Sequence, residues 1–170
     1  VMPASAPDAA TELLIVGSLP DIVEDQFLRL FAALGIAKVG VLPARNARDL
    51  PSIGPNTRYL LAQPFLAETA IALEARGARR IEALFPFGVE GTSDWLRAAA
   101  RAFDIDPALT ERVIAPGRER ARIALSKLRP QLAGKRISFL PDSQLEVPLA
   151  RFLQDELDME LVEVGTPYLH

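Results

Sequence analysis

The side chains that could do chemistry in this sequence are few, and carboxylates dominate them. Cysteine is absent, so no thiolate is offered to zinc or to an iron–sulfur cluster. Histidine occurs once, as His170, which removes imidazole-based metal sites and Ser–His or Cys–His triads. The carboxylates Glu24, Asp25, Glu90, Asp94, Asp104 and Asp142 form no pair that their spacing reveals, and most fall on helix faces expected to be solvated. Asp142 differs from the others. It follows the run "RISFLP" and precedes a helical stretch beginning near Ser143, at the carboxyl end of a predicted parallel strand, where α/β folds bind ligands. An N-cap role for Asp142 or Ser143 explains the same residues at least as well. The turn "VGSLPD" has a single glycine and lacks the G-x-G-x-x-G spacing that lets backbone approach a pyrophosphate, so a tight turn with a helix cap is the better reading. No G-x-x-x-x-G-K-[ST] occurs, and ATP hydrolysis by this chain is not expected.

The elements that must hold these residues alternate regularly at first. Residues 1–10 are rich in Ala, Pro and Ser and read as a linker. "TELLIVGSL" is a short apolar run closed by Gly and Ser, the pattern of a strand buried on both faces. Val23, Phe27, Leu30, Phe31 and Leu34 then form one apolar helical stripe, with Pro20 and Asp21 suited to its first turn and Gly35 to its end. "KVGVLPA" and "RYLLAQ" are further strands. A helix is expected from Pro64 to Gly77, and "RRIEALFPFG" is a fourth strand. Strands alternating with helices of this length specify a parallel, doubly wound, Rossmann-like sheet over residues 11–88. Residues 89–133 read as helical with no strand between. Thr92 or Ser93 serves as a cap, Asp106-Pro107 as a second start, and a break is expected near Pro116-Gly117. Residues 134–170 read as strand, helix, strand, the first βαβ unit of a second Rossmann-like domain that the chain leaves truncated.

Composition narrows the function classes. With 170 residues and 49% hydrophobic content the chain is globular, and no apolar stretch is long enough for a transmembrane segment. A net charge of −3 gives no footprint for nucleic acid, and "RERARIALSKLR" reads as an amphipathic surface helix. Trp95 and Phe103, at helical spacing, are expected in the core. An unpartnered face of the last unit is expected to leave exposed hydrophobic surface and poor solubility in isolation.

Several phrases carry a resemblance. "LAQPFLAET", "FPFGVEGT" and "PDSQLEVPLARFL", in this order with "LLIVGSLPDIVEDQFLRLFAALGI" and "ELDMELVEVGTPYL", are similar to the nitrogenase component 1 superfamily over nearly the whole chain. Within it the match is to the light-independent (dark-operative) protochlorophyllide reductases, on the side of their N-type subunit. The resemblance implies a heterotetramer of N and B subunits, each of three Rossmann-like domains. Residues 11–88 would then be the family's domain two, 89–133 a helical bridge, and 134–170 the start of domain three. It further implies a separate iron-protein (L) dimer that uses ATP, and a [4Fe–4S] cluster between N and B with ligands outside this chain. The substrate would be protochlorophyllide, reduced at ring D in (bacterio)chlorophyll synthesis, in the cytoplasm of a photosynthetic bacterium or in a plastid. The segment alone is expected to be inactive.

Two positions carry over from the resemblance. In nitrogenase α subunits the stretch similar to "TERVIA" reads C-E-E-V-I-A, and its cysteine ligates the iron–molybdenum cofactor. That position is Thr110 here, a poor ligand for a soft metal, which fits a cavity holding a tetrapyrrole instead. The other is the loop 140–144. Leu140 and Pro141 would offer apolar surface to a planar macrocycle, and Asp142, Ser143 or Gln144 would meet its polar substituents. Packing and capping roles explain these residues too. No acid is nominated for proton delivery. A metallocluster-assembly scaffold of the same superfamily is the alternative, and a free-standing solute-binding domain a third reading.

Overall fold

The computed structural model describes residues 12–141 and 144–166, so the expected linker over 1–10 lies outside the described residues. The elements run β1 (Leu13–Val16), α1 (Asp21–Ala33), β2 (Val39–Leu42), β3 (Arg58–Leu61), α2 (Ala67–Glu74), β4 (Arg79–Arg80), α3 (Gly88–Ala102), α4 (Pro107–Ser126), α5 (Arg129–Leu132), β5 (Arg136–Phe139), α6 (Glu146–Leu157) and β6 (Glu160–Val164). The first four strands form one parallel sheet in the order β2-β1-β3-β4, and β5 and β6 form a separate parallel pair. The fold is thus a parallel α/β architecture. No helix of the described residues is long and apolar enough to cross a membrane.

β1 lies at the centre and is buried on both faces because its two sets of side chains meet two helical layers. Leu13 and Ile15, with Leu60 and Ala62, pack against Phe27 and Phe31 of α1, Trp95, Leu96 and Ala99 of α3 and Ile114 of α4. Leu14 and Val16, with Tyr59 and Leu61, pack against Ala70 and Leu73 of α2 and against Ile53 and Ala78. Trp95 is fully buried, its rings 4.7 Å from Phe27 and 5.4 Å from Phe31 between centroids. Its indole N–H donates to the carbonyl of Leu61 at 3.0 Å, so the polar edge of the largest core side chain is satisfied by the sheet backbone. Phe103 is half-buried, with the Arg58 guanidinium 4.7 Å above its ring.

Four local expectations are corrected. α2 begins at Ala67 and not at Pro64, because Phe65 sits in the left-handed region at φ 63°, which no helix accommodates. The fourth strand pairs only over Arg79 and Arg80. Ile81 adds one bond to Tyr59, after which the Leu84 N–H turns to Asp94 and the chain leaves the sheet for α3. Thr92 and Ser93 are interior to α3, which starts four residues earlier, at Gly88. Its first N–H groups are satisfied by Glu156, a carboxylate from α6. Finally, α4 runs through Pro116 without a break, and the chain pauses only at Lys127 and Leu128 before α5. Proline deletes one helical hydrogen bond, but Pro116 lies on an exposed side where water can replace it.

The β5-α6-β6 unit docks through α6 on α3. Phe152 packs edge-on against Phe87 with ring centroids 5.6 Å apart, and Arg151 donates to the carbonyl of Phe85 at 3.2 Å. This approach is close enough to require glycine at two positions of "FPFGVEGT". A Cβ on Gly88, whose φ is +73°, would lie 2.3 Å from Glu156 and 2.5 Å from Phe152. One on Gly91 would lie 2.4 Å from Arg151 and 2.6 Å from the Phe85 carbonyl oxygen.

Candidate functional site

The sheet order fixes where a crevice must open. From β1 the chain crosses by way of α1 to β2 at one edge, and from β3 by way of α2 to β4 at the other. α1 and α2 lie on opposite faces, so the loops leaving the carboxyl ends of β1 and β3 diverge, which is the topological switch point of an open parallel sheet. Gly17 ends β1 there. A Cβ on it would stand 3.2 Å from both Ala62 Cβ and Gln63 Cγ, so the two loops touch at their base. Above that contact the Ser18 N–H donates to Gln63 Oε1 at 2.7 Å, and Gln63 Nε2 reaches Gln144 Oε1 at 3.4 Å. A line of amides therefore joins the ends of β1 and β3 to the loop that follows β5.

The loop 140–144 lies at the carboxyl end of β5. Leu140 is 80% exposed, an unusual position for a leucine beside a strand, and Pro141 is exposed next to it. Pro141 also packs on the far side of the pair, where a Cβ on Gly165 would come within 2.8 Å of its ring. Gln144 is half-buried by its contact with Gln63. Asp142 and Ser143 lie outside the described residues. Thr110 stands elsewhere, in the first turn of α4. It is 3% exposed, and its hydroxyl donates to the Asp106 carbonyl at 3.0 Å within its own helix. Of the residues singled out from the sequence, the structure therefore leaves Leu140 and Pro141 as an exposed ridge after β5, sets Gln144 against Gln63, and puts Thr110 in a helix start. Sequence reasoning misses Gln63 and Ser18. Gln63 lies inside the phrase "LAQPFLAET", but its partner is 81 residues away and no local pattern discloses it.

Next to Thr110 the electrostatics are structural. Glu111 accepts from Arg97 at 2.7 and 3.1 Å and from Arg118 at 3.1 Å, tying α3 to both halves of α4. The Arg97 hydrogen bonds hold the Glu111 carboxyl below the usual carboxylate range, and Glu111 in turn raises Arg97. Glu24, expected on a solvated face, is instead 5% exposed and paired with Arg45, which also reaches Asp25 at 2.8 Å. The Asp25 and Glu24 bonds raise Arg45. A groove of about 900 Å³ runs between α1, α3 and α4, floored by side chains such as Phe27, Leu96 and Ile114 and edged by Arg29 and Arg120. None of the candidate residues lines it. Among the described residues no group of three or more His, Cys, Asp or Glu is placed to hold a metal ion. The chemistry available at the β-strand ends is thus recognition: apolar surface from Leu140 and Pro141, and amide donors and acceptors from Gln63 and Gln144.

Comparison with known proteins shows the family. The model of the nitrogenase component 1 type oxidoreductases matches residues 7–170. The chain is 63% identical over 169 residues to the light-independent protochlorophyllide reductase subunit N of Rhodospirillum rubrum, covering 99% of this chain and 38% of that protein. It is 65% identical over 167 residues to the protein of the same name from Rhodopseudomonas palustris strain BisB18, covering 98% and 39%. The one from Bradyrhizobium sp. strain BTAi1 is 62% identical over 170 residues, covering 100% and 40%. The chain spans about two fifths of the length of the curated relatives it matches.

Proposed function

Because the chain belongs to the nitrogenase component 1 type oxidoreductase family, we propose that it is a stretch of the N-type subunit of a light-independent protochlorophyllide reductase. The observation that carries this reading is identity above 60% across essentially all of these residues to proteins bearing that name. The enzyme so assembled reduces the ring D double bond of protochlorophyllide, with a B subunit as permanent partner and an ATP-using iron-protein dimer as electron donor. Its setting is the cytoplasm of a photosynthetic bacterium.

The residues here do not fit a [4Fe–4S] cluster. The sequence has no cysteine, and the described carboxylates form no cluster of ligands. We assign the cluster to the assembled enzyme and no electron-transfer step to this chain. What its own residues do is bind and orient. Residues 134–166 open a second Rossmann-like unit, and the helical stretch 89–133 holds it against the first. The ridge after β5 then forms part of the substrate-cavity wall. Leu140 and Pro141 supply flat apolar surface, suited to a macrocycle whose affinity derives from area removed from water. Thr110 contributes by what it is not: a buried hydroxyl bonded within α4 offers no ligand to a metal.

The test is equilibrium titration of the complete complex with protochlorophyllide. Leu140→Ala removes three carbons from an exposed contact and should weaken binding roughly tenfold if the ridge is wall. Unchanged affinity and turnover in Leu140→Ala and Leu140→Asp together would exclude this loop from the cavity.

A further inference from the structure

The amide line at the switch point has a direction, and the direction starts from a group that cannot reverse. The Ser18 N–H is a backbone donor, so the Gln63 atom 2.7 Å from it must be the carbonyl oxygen. That leaves Gln63 its NH₂ group to point at Gln144, which must then answer with its own oxygen at 3.4 Å. The Gln144 NH₂ is consequently the end of that amide turned away from Gln63. Among the described residues it has no acceptor.

We propose that Gln63 is a positioning residue that fixes the amide polarity of Gln144, so that Gln144 presents N–H donors to a carbonyl or carboxylate oxygen of the cavity's ligand. This rests on the reading of the ridge as cavity wall and adds to it the sign of the polar contact. Gly17 belongs to the same device. Its φ of +151° is one that residues with a Cβ rarely adopt, and a Cβ there would press on Ala62 and Gln63 at 3.2 Å, so glycine eases the turn that places the Ser18 N–H beside the glutamine.

Gln63→Glu isolates the effect. It keeps the volume and still accepts from Ser18, but it has no donor for Gln144 at neutral pH. Gln144 must then rotate its amide to give NH₂ to the introduced carboxylate and expose its oxygen to the ligand. The complete complex, without ATP, is titrated with protochlorophyllide for the wild type, Gln63→Glu, Gln144→Ala, the double variant and Leu140→Ala. Thermal melts of each complex confirm assembly, and Gln63→Met serves as a second donor-free variant. Gln63→Glu and Gln144→Ala should each weaken binding by roughly three- to tenfold. KM should rise while kcat at saturation stays within about twofold, and the double variant should bind no more weakly than Gln144→Ala alone. Full affinity in both Gln63→Glu and Gln63→Met, with loss in Gln144→Ala, overturns the positioning role. Full affinity in Gln144→Ala with loss in Leu140→Ala overturns the donor role and leaves the wall. Full affinity in every variant, Leu140→Ala included, removes the wall reading itself.

Discussion

Tyr59 shows how much of this protein is decided by single polar atoms in apolar surroundings. Its side chain is fully buried on the α2 face of the sheet, and its hydroxyl donates to Glu74 Oε1 at 2.8 Å. Burial, and then the Glu74 carboxylate, push the phenol well above its ordinary value. The sign follows from the proton. The folded state holds it more tightly than the unfolded chain, so this stabilising term is complete below about pH 10 and declines as pH rises above that. Tyr59→Phe should cost about 1 kcal/mol at neutral pH, from the lost hydrogen bond and the stranded Glu74. Urea melts from neutral to strongly alkaline pH should show that deficit shrinking above about pH 10; a constant deficit would mean that the hydroxyl does not ionise on unfolding. Glu111 is the opposite case. Its depressed carboxyl adds stability that is present above the unfolded carboxylate value and fades as pH falls through the folded one. Because Glu111 is half-exposed, Glu111→Gln should cost less than about 1 kcal/mol, read as the same urea midpoint shift at pH 7 and none in strong acid. Neither pair is legible in the sequence, nor is the burial of Glu24. A carboxylate's environment depends on arginines and tyrosines that reach it from other elements, 14 and 15 residues away for Glu111 and Glu74.

At the scale of elements, periodicity discloses the strands and helices, while their ends are set by partners that periodicity does not see. The stripe from Val23 to Leu34 is α1 because an apolar 3.6-residue repeat needs a sheet to cover it, and β1 supplies one. The start of α3 is misplaced from sequence because the residues resembling a cap, Thr92 and Ser93, compete with a carboxylate from another unit. Glu156 accepts from the Val89 and Glu90 N–H groups at 2.9 and 3.1 Å, where the helix dipole also favours a negative charge. That cap is part of the α3–α6 junction, and the glycines of "FPFGVEGT" are its other part. Gly91→Ala places a methyl group against the Phe85 carbonyl, which is backbone and cannot swing aside as Arg151 can. It should destabilise by about 1–3 kcal/mol through displacement of α6, although alanine is the better helix former. Thermal melts check it: equal or higher stability of Gly91→Ala would show that α6 does not sit this close.

For the whole molecule, the parallel run of strands is legible in their alternation with helices, but the order β2-β1-β3-β4 is not, because β2 and β3 are joined by a loop without an α-helix that passes over β1. The pairing of β5 only with β6 is legible. What the sequence also conceals is how the two sheets are joined, since α3–α6 and Gln63–Gln144 bring together residues more than 60 positions apart. The joint matters energetically because the sheets are unequal. β1 is buried along its whole length, whereas β5 alternates between exposed and half-buried and β6 is exposed except at Leu161, with Val162 51% and Val164 36% exposed. A two-stranded sheet is marginal alone, so within this stretch the docking of α6 on α3 is a support of the β5-α6-β6 unit. Local opening should therefore be graded. In native-state hydrogen exchange of this chain, amides of β1 and β3 should exchange only by global unfolding, and those of β5 and α6 through a smaller opening. Gly91→Ala should lower protection in α6 and β5 while β1 keeps the global value. If β1 and β5 lose protection equally, the two sheets unfold as one body, and the ridge at Leu140 is as rigid as the core beneath it. If the loss stays in the second unit, that ridge rests on a separately opening element, and a partner that covers it gains stability by mass action on that element alone.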